Sequence, residues 1–156
     1  MADIVTLALA IAGSTVSVVT RLKEVAEWLK GRREMPVEVH EVDLANPAVV
    51  VNFAGNATSD ARWVGFGVIA ELGTVKRLSP SEMTRWAESA AVVIAKLRKL
   101  TGKEPLTVIL SCPVAVAFMI GNLLGHTSDY RIAHWDGAGY TLLEPVDLDR
   151  FRRSLL

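Results

Sequence analysis

The sequence predicts an α/β fold with a mostly parallel central sheet. Two observations carry this. Short apolar runs, each closed by a Gly, Ser or Pro turn, read as strands buried on both faces: Ile4–Ile11, Ala48–Phe53 and Leu106–Leu110. Between them, apolar residues recur at helical spacing over Val18–Arg33, Ser79–Leu100 and Val114–Leu124. Such alternation places helices against a sheet. With 156 residues, the chain reads as a single domain, 1–156.

Each element follows from local chemistry. Ile4–Ile11 mixes Ile, Val and Leu with Ala and stops at Gly13-Ser14-Thr15. The helix after it carries Leu22, Val25, Ala26 and Leu29 on one side, with Gly31 as its stop. Pro36–Leu44 sets Val37, Val39, Val42 and Leu44 against Glu38, His40, Glu41 and Asp43, with one slip of phase at Glu41 that suits a bulge. That alternation fits a half-buried or edge strand. The β-branched Ala48–Phe53 ends in Ala54-Gly55-Asn56. Residues 60–73 stay ambiguous: Asp60 suits the cap of a helix reaching Gly73, and Gly65 and Gly67 oppose it.

The sharpest boundary is Ser79-Pro80-Ser81-Glu82, with an N-cap serine, proline at the first helical position and glutamate at the capping-box position. The expected stripe of this helix is Met83, Trp86, Ala87, Ala90, Ile94, Leu97 and Leu100, with Gly102 just beyond its end. The last third reads as strand, helix, strand, with the turn Ser111-Cys112-Pro113 and a helix Val114–Leu124 whose one polar group is Asn122. Tyr130–Trp135 follows, and Asp136-Gly137-Ala138-Gly139 turns the chain into Tyr140–Leu143. The sum is a Rossmann-like three-layer sandwich with a C-terminal hairpin.

Composition bounds the function. Seventeen basic residues offset seventeen acidic ones, and the isoelectric point is about 6.8. This argues against binding of duplex nucleic acid, which calls for a basic face. A hydrophobic share of 51% with 22% charged residues excludes disorder. No apolar run approaches the ~20 residues of a spanning helix, so no membrane association is expected. Ile4–Ala12 is short, follows Asp3 and lacks a basic leader, and a cytoplasmic location is expected. The nearly uncharged Val114–Leu124 helix is hard to bury on every side within one small chain, which points to oligomerisation.

Three loops follow strands in places where ligands of open α/β sheets gather: Gly13-Ser14-Thr15, Gly55-Asn56-Ala57-Thr58 and Ser111-Cys112-Pro113. Their small residues, hydroxyls and amides suit an anionic or nucleotide ligand, and equally suit plain turns and caps. No Walker A lysine and no G-x-G-x-x-G motif is present, so triphosphate hydrolysis and dinucleotide redox chemistry lack support. Cys112, the one cysteine, stands where a lowered pKa would make a nucleophile. Pro113 removes an amide there and no His or carboxylate is near in sequence, which favours an inert thiol. His40, His126 and His134 lack metal-ligand spacing, so neither metal nor other cofactor is expected. The arginines Arg150, Arg152 and Arg153 read as a solvated helix end.

The segments PLTVILSCPVAVAFMIGNLLG and YRIAHWDGAGYTLLEPV resemble the C-terminal half of SAVED domains, relatives of the CARF domains of CRISPR and other antiviral systems. The matching positions are Leu106–Leu110, Pro113, Ala115, Ala117, Gly121, Trp135-Asp136 and Tyr140. The rest of the chain follows that family only through its α/β order. A full SAVED domain looks like two fused CARF-like halves joined to an effector, and this chain has room for one half. The resemblance therefore implies a homodimer that binds a cyclic oligonucleotide over the carboxyl ends of its strands, across the dimer axis.

It also implies that phosphates meet amides of the Ser14 and Ser111 loops while a base stacks on Trp135. The ligand-binding candidates are thus Gly13, Ser14, Thr15, Asn56, Ser111, Cys112, Pro113, Arg131 and Trp135. A sensor would signal to a separate effector subunit. A metal-independent ring nuclease would align a ribose hydroxyl with its phosphate, with Ser14, Thr15, Ser111 and Arg131 as candidates for stabilising charge. Two other classes stay open: a Rossmann-like protein–protein interaction subunit without a nucleotide ligand, and a thiol enzyme using Cys112.

Overall fold

The computed structural model describes residues 24, 27, 37–39, 46–53, 55–73, 77–99, 101–102, 105–125 and 130–156. The strand expected over Ile4–Ile11, the Gly13-Ser14-Thr15 turn and the phase slip at Glu41 lie outside them. The elements in chain order are β1 (Val37–Val39), β2 (Pro47–Asn52), α1 (Ala57–Trp63), β3 (Gly67–Gly73) and α2 (Pro80–Arg98). They continue with β4 (Leu106–Ser111), α3 (Val114–Leu124), β5 (Tyr130–Trp135), β6 (Tyr140–Leu142) and α4 (Leu148–Arg153).

The strands form one sheet in the order β1-β3-β2-β4-β5-β6. The inner strands β3, β2, β4 and β5 run parallel. β1 pairs antiparallel with β3 at one edge, and β6 pairs antiparallel with β5 at the other. The fold is α/β with a mostly parallel sheet, as the alternation of apolar runs and helical stripes predicts.

β2 sits in the middle because every residue of it can be buried. Successive side chains of a strand point to opposite faces. Val49 and Val51 accordingly join Ile69, Leu72 and Val108 under α2 and α3, where Trp86, Ile94, Leu97, Val116 and Ile120 complete one core. Ala48 and Val50 join Val68, Ile109 and Ala133 in a second core, closed by Ala57 and Ala61 of α1 and by Phe66. Two-sided burial is why this run shows continuous Val and Ala rather than alternation.

α2 begins where the capping signal places it. Glu82 N–H donates to Ser79 Oγ at 3.4 Å, and Ser79 N–H donates to Glu82 Oε2 at 2.8 Å. Its stripe is buried at Trp86, Ala87, Ala90, Ile94 and Leu97, while Leu100 lies outside the described residues. The helix ends at Arg98, whose guanidinium donates to Thr101 Oγ1 and to the Gly102 carbonyl, both at 3.0 Å.

Residues 60–73 form neither one helix nor one strand, and Asp60 is not a cap. The helix starts earlier, at Ala57, with Asn56 in the cap position and its carbonyl accepting from Asp60 N–H at 3.1 Å. It is stopped after Trp63 by Gly65, whose φ of +93° breaks the helical path. The β-branched pair Val68-Ile69 then enters the sheet. Ala57 and Thr58, read from sequence as loop, are the first turn of this helix. Among the described residues no helix is long and apolar enough to cross a membrane.

The box around Ser79 gives a direct check. Ser79→Ala removes the acceptor for Glu82 N–H and is expected to cost about 1 kcal/mol in a denaturant titration. A midpoint unchanged from the parent chain would show that the box contributes nothing.

Candidate functional site

The candidate site is the carboxyl edge of the parallel strands, and its geometry starts with register. Asn52, the last residue of β2, pairs with Gly73 of β3 on one side and with Ser111 of β4 on the other. Three strands therefore end at one level. From there the chain departs in opposite senses. β2 leads into α1, which closes the second core, and β4 leads into α3, which closes the first. Neighbouring strands whose following helices take opposite faces make a topological switch point, where open α/β sheets form their ligand crevice.

Hydrogen bonds fix the two departing loops to each other and to β3. Phe53 N–H donates to the Ser111 carbonyl at 2.7 Å, tying the loops at their roots. Asn52 is 5% exposed. Its Nδ2 donates to Glu71 Oε1 at 2.8 Å, and its Oδ1 accepts from Gly55 N–H at 2.9 Å. One amide thus spans β2 and β3 and shapes the turn into α1. Gly73 faces this arrangement closely: a Cβ there would lie 2.7 Å from the Asn52 carbonyl oxygen. Behind the loop, Phe53 meets Trp86 edge to face, with ring centroids 4.7 Å apart.

α3 opens onto the same edge. Pro113 occupies its cap position with no side-chain cap, and its carbonyl accepts from Val116 and Ala117 at 2.9 and 3.1 Å. The helix has no acidic residue in its first turn. The positive end of its dipole and the amides of Val114 and Ala115 therefore face outward without a capping side chain, an arrangement suited to an anion.

Cys112 stands beside this opening, half-buried, and burial pushes its thiol up to about 11. It is a neutral thiol at neutral pH, in line with the inert reading and against use as a thiolate.

The sequence-derived candidates divide by position. Ser111 ends β4, and Cys112 and Pro113 lead from it into α3, while Asn56 stands at the N-cap of the helix that follows β2. Trp135 ends β5 at the same edge of the sheet, 43% exposed, and meets Tyr140 edge to face with centroids 5.2 Å apart. Burial raises the Tyr140 hydroxyl, and the charge of Asp60 adds to that. The turn between them is held by Asp136, whose carboxylate accepts from Ala138 and Gly139 N–H at 2.9 and 3.0 Å and is lowered in pKa by those bonds.

Arg131 is elsewhere. It sits near the start of β5 and donates to Asn46 Oδ1 at 3.3 Å and to the Pro105 carbonyl at 3.4 Å, both just ahead of strand starts. A parallel strand carries its early residues to the opposite edge from its late ones, so Arg131 ties the amino ends of β2, β4 and β5 instead of standing at the carboxyl edge. Gly13, Ser14 and Thr15 lie outside the described residues.

Sequence reasoning missed Asn52, Glu71 and Gly73. The available signal was an amide closing a β-branched run three residues before a glycine. Among the described residues no group of three or more His, Cys, Asp or Glu side chains is placed to hold a metal ion. The chain matches no protein-family model, and a search of curated proteins returns no match.

Two outcomes test this geometry. Gly73→Ala is expected to destabilise the fold by about 1–3 kcal/mol, because the obstructing atom is backbone and the strands must part; a neutral result in thermal unfolding would contradict the close approach. For Cys112, the folded pKa lies above the ordinary 9.0. The stability associated with the neutral thiol is therefore full below pH 9 and declines as pH rises towards 11. Cys112→Ala should remove that part of the alkaline slope, and iodoacetamide should label the native thiol far more slowly than the unfolded one.

Proposed function

We propose that the chain binds a cyclic oligonucleotide second messenger of a prokaryotic antiviral defence system, CRISPR or related, as a SAVED/CARF-like homodimer. The observation that carries the reading is the switch point at the carboxyl edge of the sheet, where the β2 and β4 loops share the Phe53–Ser111 hydrogen bond and α3 starts without a side-chain cap. Main-chain donors and a helix dipole suit phosphates, and they do so without a strongly basic surface. Trp135, exposed at the end of β5, supplies a face for a base. In this reading the cores on the two sides of the sheet are the outer layers of a Rossmann-like three-layer sandwich, and β6 closes a C-terminal hairpin.

Sensing through a separate effector subunit, in the cytoplasm, is the form we favour. The ring-nuclease form requires a group to stabilise the phosphate as the ribose hydroxyl attacks. Arg131 stands at the wrong edge for that task, and among the described residues Ser111 is the candidate at the carboxyl edge; Ser14 and Thr15 lie outside them.

A second reading rests on α3. Val114 and Phe118 are 85% and 69% exposed, which suits an interaction subunit without a nucleotide ligand.

Thermal unfolding with a panel of cyclic di- to hexanucleotides separates the two, because a ligand that binds only the folded state raises the midpoint. One ring size is expected to raise it, and Trp135→Ala is expected to weaken that ligand by about 1–3 kcal/mol, the range for lost base–aromatic stacking. No shift with any ring would leave the interaction subunit as the surviving reading. Incubation of the bound ring without metal then decides the activity, since linear products would identify a nuclease.

A further inference from the structure

We draw no further inference here: the strongest candidate, the polar cluster of Arg131, Thr107 and Asn46 at the amino edge of the sheet, carries nothing, because Arg131 Nε and Thr107 Oγ1 are unpartnered but sealed from solvent and nothing among the described residues shows an approach by which a ligand would reach them.

Discussion

The level at which three parallel strands end governs the rest of this molecule. Asn52 stands in register with both Gly73 and Ser111, and that alignment is held by contacts that tolerate little displacement. The Asn52 amide is buried and satisfied from two directions, by Glu71 and by Gly55. An unpaired amide in that position would cost more than either bond supplies, so the β2–β3 register and the turn into α1 are fixed together. A shift of one residue would also turn Val49 and Val50 to the wrong cores.

Much of the architecture is legible in the chain because its signals are local. Ser79 and Glu82 announce α2 through bonds that span three residues, and Pro113 and Gly125 bound α3 at Val114–Leu124, as read from sequence. The Val-rich run of β2 declares two-sided burial. Residues 60–73 resisted because a strong helical residue pattern and two glycines compete there, and the answer depends on the backbone that Gly65 adopts. The site was legible only in part. Loops after strands are visible in sequence, but which edge a residue reaches depends on its place along the strand. Arg131 and Trp135 are four residues apart on β5 and belong to opposite edges. The pairing of Asn52 with Glu71 joins two strands across nineteen residues, and nothing local advertises it.

At the carboxyl ends of β2, β3 and β4 the described contacts are hydrogen bonds. The nearest thiol is held neutral by burial, and the loops carry amides and hydroxyls. Such an edge is suited to holding a ligand in place. Among the described residues, exposed apolar side chains gather on α3, at Val114 and Phe118, and along residues 143–156.

The opening of α3 has a consequence for how such a chain ages. Its donors are peptide N–H groups that no side chain caps, and peptide groups are identical whatever residues carry them. Substitutions at Val114 or Ala115 would leave the donors and the dipole in place so long as the helix starts where it does. Selection can therefore preserve the surface while the letters around it drift. A lineage built this way keeps its shape and loses its signature, and backbone geometry becomes a longer-lived record of kinship than sequence.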